Sequence, residues 1–141
     1  MQYVIDSNVA VKWFLPEPHS EKAFALLEDF RHQGLGLVAP DLLVPEVGHV
    51  LWKRSVLTRE VPLSEAEESY NDLLSLQIPL QSSSQIAEHA FNLASQERHA
   101  IYDAFYIALA LERGCELITA DQTLIDKLSG KFPLIRPLST L

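Results

Sequence analysis

The sequence predicts an α/β sandwich, with helices flanking a central, mainly parallel sheet. Three observations predict it. Short β-compatible apolar runs alternate with stretches of helical period along the whole chain, the pattern that builds parallel sheets through crossover helices. Two of these runs, ending at Ile5 and Thr119, are followed within two residues by an acid and then by a helical stretch. The segment Ala104 to Leu111 is apolar without a polar stripe, as a helix reads when the fold covers nearly all of it.

Gln2 to Ile5 is the first strand, closed by Asp6, Ser7 and Asn8, and a helical pattern follows through Val9, Val11, Trp13 and Phe14 to Pro16. Pro16-Glu17-Pro18 is a turn. Ser20 to Gln33 places Ala23, Phe24, Leu26, Leu27 and Phe30 on one side of an amphipathic helix that Gly34 ends. Leu35 to Ala39 is the second strand. Pro40 and Asp41 open a long helix, with Asp41 as its N-cap, Leu42, Leu43, Val47, Val50 and Leu51 facing inward, and Lys53, Arg54 and Arg59 at or beyond its end. Ser64-Glu65-Ala66-Glu67 fits a capping box and starts a helix that runs through Leu76. Ile78 to Gln81 is a brief strand, and Ser82 to Ser84 lead into a helix carrying Ile86, Ala90, Phe91, Leu93 and Ala94. Glu112, Arg113 and Gly114 stop the apolar helix, and Cys115 to Thr119 is the next strand. Thr123 to Leu128 is a short helix, and Phe132 to Arg136 an edge strand between prolines.

A chain of 141 residues fits one domain, residues 1–141, with a core large enough to fold without disulfides or structural metal. Its single cysteine, Cys115, has no intramolecular partner, and MQYVIDSN lacks the basic and long apolar regions of a signal peptide, so a cytoplasmic protein is expected. No run reaches the roughly 18 to 20 apolar residues of a spanning helix, and no membrane role is implied. The net charge of −8, from 19 acids against 11 Lys and Arg, has the wrong sign for holding nucleic acid on a broad basic surface. It leaves room for a nuclease whose acids collect divalent cations.

Four acids stand out: Asp6, Glu46, Asp103 and Asp121. Each has a structural reading. Asp6 and Asp121 suit N-caps, Asp103 suits the positive end of its helix, and Glu46 can face solvent. Taken together they point elsewhere, because Asp6 and Asp121 end strands while Glu46 and Asp103 interrupt apolar helical patterns. Carboxylates converging on one crevice repel one another, and the usual resolution is a hard cation with oxygen ligands, here Mg²⁺ or Mn²⁺. His19, His32, His49, His89 and His99 show no paired zinc-ligand spacing and are read as surface or satisfied core residues. Asp126 is read as a solvated helix residue, and Trp13, Trp52, Tyr102 and Tyr106 as core or dimer packing.

The segments VIDSNVAVKWF, PEVGHVLWK, YDAFYIALA and LITAD, in this order over the full length, resemble a PIN domain, and most of all the VapC-type toxins of toxin–antitoxin pairs. The resemblance implies a three-layer sandwich whose five-stranded parallel sheet has its first and fourth strands adjacent. It implies Asp6, Glu46, Asp103 and Asp121 as catalytic acids, with Asp6, Asp103 and Asp121 holding Mg²⁺ or Mn²⁺ and Asn8 and Thr119 as supporting polar residues. It also implies an RNA substrate, a cognate antitoxin and a homodimer. The expected chemistry is hydrolysis of a phosphodiester by a metal-activated water, with Glu46 completing the shell or orienting the water. Two rivals are a PIN fold that binds RNA or a partner without cutting it, and a haloacid-dehalogenase-like phosphatase. The second needs Asp-x-Asp where this chain has Asp6-Ser7-Asn8.

Overall fold

The computed structural model describes all 141 residues. Strands β1 (Gln2–Ile5), β2 (Gly36–Pro40), β3 (Leu80–Gln81), β4 (Glu116–Thr119) and β5 (Ile135–Pro137) form one sheet in the order β3-β2-β1-β4-β5, with every pairing parallel. Helices α1 (Ser7–Val11), α2 (Ser20–Arg31), α3 (Leu43–Trp52), α4 (Leu63–Ser75), α5 (Ser83–Glu97), α6 (Ile101–Arg113) and α7 (Gln122–Leu128) connect them. Successive residues Tyr3, Val4 and Ile5, and likewise Leu37, Val38 and Ala39, are all buried, so helices cover both faces of the central strands. The expected α/β class and the adjacency of first and fourth strands are both observed.

Strand order determines where a site can form. The chain builds outward from β1 through β2 to β3 on one side, then returns to place β4 and β5 on the other. The switch point therefore lies between β1 and β4, where loops leaving the two carboxyl ends diverge and open a crevice. The apolar helix α6 packs across β1, β2 and β4, with Ala104 and Tyr106 through Ala110 buried. Gly114, in the left-handed region at φ 62°, ends it, a conformation that costs glycine little and other residues more.

Several local expectations shift. The helical pattern after Asp6 holds only to Val11; beyond it Trp13 and Phe14 bond three residues back, to Ala10 and Val11, as the chain tightens ahead of Pro16, which has no amide to continue a helix. Asp41 is not an N-cap. Its amide instead donates to the Gln81 carbonyl at 2.8 Å, prolonging the β2–β3 pairing, and Leu42 caps α3 without a side-chain bond. The capping box is not formed either, because α4 begins at Leu63 with Pro62 as its cap, which leaves Ser64 inside the first turn. Helix α3 runs on as one π-helical stretch, Lys53–Leu57, where Ser55 Oγ donates to the Leu51 carbonyl at 2.8 Å. Strands β2, β4 and β5 each start later than the apolar runs suggest, and β3 is reduced to two residues.

Candidate active site

Asp6 stands at the carboxyl end of β1, beside the switch point between β1 and β4. Its amide donates to the Ile118 carbonyl at 3.0 Å, extending the β1–β4 ladder by one residue, and its backbone stays extended as the cap of α1. The carboxylate is 3% exposed and accepts three hydrogen bonds: from the Ser7 amide at 2.8 Å, the Asn8 amide nitrogen at 3.1 Å and the Thr119 hydroxyl at 2.8 Å. Burial raises its pKa to about 7, against the Thr119 hydrogen bond, and the charges of Asp103 and Glu46 push it the same way.

The supporting residues are as closely tied. Asn8 donates to Asp6 and accepts the Ala120 amide at 2.9 Å, while Thr119, fully buried, donates to Asp6 and accepts the Asp121 amide at 3.1 Å. One hydroxyl thus links the ends of β1 and β4. Asn8 also occupies the place where a dehalogenase-like phosphatase needs its second acid, and its amide is committed to stitching the two strand ends together.

Glu46 and Asp103 arrive from helices. Glu46 lies in the first turn of α3, half-buried, with Oε1 accepting the Tyr106 hydroxyl at 2.5 Å. Burial raises its pKa, the tyrosine lowers it and the Asp103 charge raises it. Tyr106 is itself buried, and burial together with the charges of Glu46 and Asp6 drives its pKa far up, so it remains a proton-bearing donor. Asp103, in the first turn of α6, is partly exposed and accepts from His99 Nε2 at 2.7 Å. Both helix positions put a carboxylate near a positive helix end.

Asp6, Glu46 and Asp103 therefore feel one another, whereas Asp121 joins them only through Thr119. Its carboxylate caps α7, accepting the Leu124 amide at 3.2 Å. As the side chains stand, no three Asp, Glu, His or Cys groups close around one point. Asp103 is instead engaged by His99 and Asp121 by a helix amide, each by the donor within reach. The donor set nonetheless fits a hard divalent cation, being all oxygen and including a carboxylate whose charge is disfavoured by burial and by two like charges. Sequence reasoning missed His99 and Tyr106 as members of the site. The i, i+4 spacing of His99 and Asp103 is a signal for the first, while only folding brings Tyr106 to Glu46. Trp13 is core, as expected, donating to the Ala23 carbonyl, whereas Trp52 and Tyr102 are exposed.

The family model for the PIN domain matches residues 3–130. Ribonuclease VapC3 of Pyrobaculum aerophilum is 32% identical over 138 residues, which is 96% of this chain and 98% of that protein. Among solved structures, PAE2754 from Pyrobaculum aerophilum is similar with a TM-score of 0.70 at 24% identity, covering 99% of this chain and 94% of its own. VapBC2 from Rickettsia felis, bound to a DNA fragment from their promoter, is similar with a TM-score of 0.61 at 12% identity over 97% of each chain. At those identities the two structures speak to the fold.

Proposed function

We propose a function from one premise: the chain belongs to the PIN domain family. On that premise it is a metal-dependent endoribonuclease, the toxin of a toxin–antitoxin pair, acting in the cytoplasm as a homodimer. The observation that carries the nuclease reading is Asp6, a buried carboxylate fixed by three donors beside two further acids that disfavour its charge. Such an arrangement disfavours the ionised carboxylate in the empty fold and suits a cation. Asp6, Asp103 and Asp121 are the residues that would hold Mg²⁺ or Mn²⁺, and few carboxylates suffice for an ion that keeps part of its water shell. When bound, the ion supplies Lewis-acid chemistry, activating a water and offsetting charge on the phosphorus and the leaving oxygen.

The chain's own residues do the positioning. The Ser7 amide on Oδ1, with Asn8 and Thr119 on Oδ2, prevents Asp6 from rotating, since each of its oxygens is already engaged. Tyr106 holds Glu46 through Oε1 and leaves Oε2 to accept a hydrogen bond from the attacking water. In-line attack by water requires no ribose 2′-hydroxyl, so the preference for RNA rests on the relative named as a ribonuclease. The test is cleavage of a labelled RNA with Mg²⁺ or Mn²⁺ present. Excess EDTA and Asp103→Asn should each abolish it, and cleavage that continues unchanged under either refutes the mechanism. Protein that binds the RNA intact in every condition supports a non-cutting binding module instead.

A further inference from the structure

We propose that His99 is a positioning residue for the cation site: its ring donates one hydrogen bond to Asp103, engaging Oδ2 and leaving Oδ1 as the free donor. This rests on the reading that Asp103 holds a divalent cation. The bond is short, 2.7 Å from His99 Nε2 to Asp103 Oδ2, and the His99 side chain is 8% exposed, against 42% or more for His19, His32 and His89. A surface histidine making a chance contact would not be so enclosed.

The backbone around His99 is built to hold it there. Helix α5 ends at Glu97, and the next residue, Arg98, takes the left-handed conformation at φ 51° and ψ 48°, the C-cap that turns the chain out of the helix. The Arg98 carbonyl accepts Lys127 Nζ at 2.7 Å, and the His99 amide returns to the Ala94 carbonyl at 3.1 Å. Two residues later α6 begins. The ring therefore leaves a backbone anchored on both sides and meets an acid anchored in the first turn of α6.

That contact opposes a specific force. The charge of Asp103 disfavours ionised Asp6 and Glu46, so repulsion acts to turn its partly exposed side chain away from them. A donated hydrogen bond from a fixed ring limits that rotation, as partners of ligating carboxylates do in metal sites generally.

The experiment uses the full chain and Mn²⁺ alone, with affinity read by calorimetry at one pH. His99→Leu fills the space without a donor, and His99→Gln restores an N–H at comparable reach. Expected is a loss of about 10- to 100-fold in affinity for the leucine variant, with the glutamine variant within about threefold of wild type. Equal affinity for His99→Leu and wild type overturns the proposal. So does tighter binding by His99→Leu, which makes the ring a competitor of the ion, or a glutamine variant as weak as the leucine one. A measurement on wild type keeps the test independent of variant folding: long-range ¹H–¹⁵N correlation of the Mg²⁺-loaded protein should show a proton on His99 Nε2. A bare Nε2 overturns the proposal. Wild type that binds no Mn²⁺ at all refutes the metal-dependent reading itself, a separate result.

Discussion

At the scale of single residues, Asp6 sets the terms for the whole site. Its pKa lies at about 7 in the folded chain, above the ordinary 3.8, because burial disfavours the charge more than its hydrogen bonds support it. Below the lower value both folded and unfolded chains hold the proton. Between the two values only the folded chain does, so stability falls as pH rises through this window and levels off above about 7. Burial acts in the same direction on Glu46. In EDTA, the melting temperature of the wild type should therefore drop by several degrees between about pH 5.5 and about pH 8, and Asp6→Asn should drop less. Mg²⁺ should restore the wild type at the higher pH, since an ion that binds only the folded chain stabilises it. Parallel pH profiles for wild type and Asp6→Asn would assign the dependence to other groups.

At the scale of elements, α3, which carries Glu46, packs closely against α4. A Cβ placed on Gly48 would stand 2.9 Å from the ring of Tyr70, whose hydroxyl donates to the Val44 carbonyl one turn before it. The glycine is there for the close approach, since it sits inside a helix where alanine is preferred by about 1 kcal/mol. Gly48→Ala should be destabilising all the same, because overpacking against a ring fixed by its own hydrogen bond costs about 1 to 3 kcal/mol. Chemical denaturation should show a lower midpoint with an unchanged slope. A midpoint at or above wild type would mean that Tyr70 yields freely. Since α3 also carries Glu46, any loss of RNA cleavage in Gly48→Ala under native conditions would report a displaced helix.

At the scale of the whole molecule, the net charge of −8 opposes nonspecific attraction to a polyanion and suits a basic partner. The proposed antitoxin should carry a basic segment that places a cationic side chain near Asp6, Glu46 and Asp103, replacing the ion's neutralising role. If an adjacent reading frame encodes a small protein with a basic tail, co-expression with it should relieve growth arrest and yield a complex that copurifies and weakens as salt rises. The absence of both relief and a complex would remove the toxin reading while leaving the nuclease reading untouched. No helix of the chain is long and apolar enough to cross a membrane.

The sequence by itself determined the α/β class, the strand ends that carry Asp6 and Asp121, and the two acids set in apolar helical patterns. Those are local matters: apolar period, breaker residues such as Gly114, and the anomaly of a carboxylate where a hydrophobe is expected are all written within a few positions. It also indicated Asn8 and Thr119, through a resemblance in motif. Only the tertiary structure decided that Thr119 joins Asp6 across 113 positions, that Tyr106 reaches Glu46 across 60, and that Asp121 stands apart as a helix cap. It also decided against the caps assigned to Asp41 and Ser64, because the Gln81 carbonyl and Pro62 arrived at those helix starts first. The reason is the same in each case. A hydrogen-bonding side chain has several equivalent partners in the unfolded chain, and which one it takes depends on what the sheet order brings within about 3 Å.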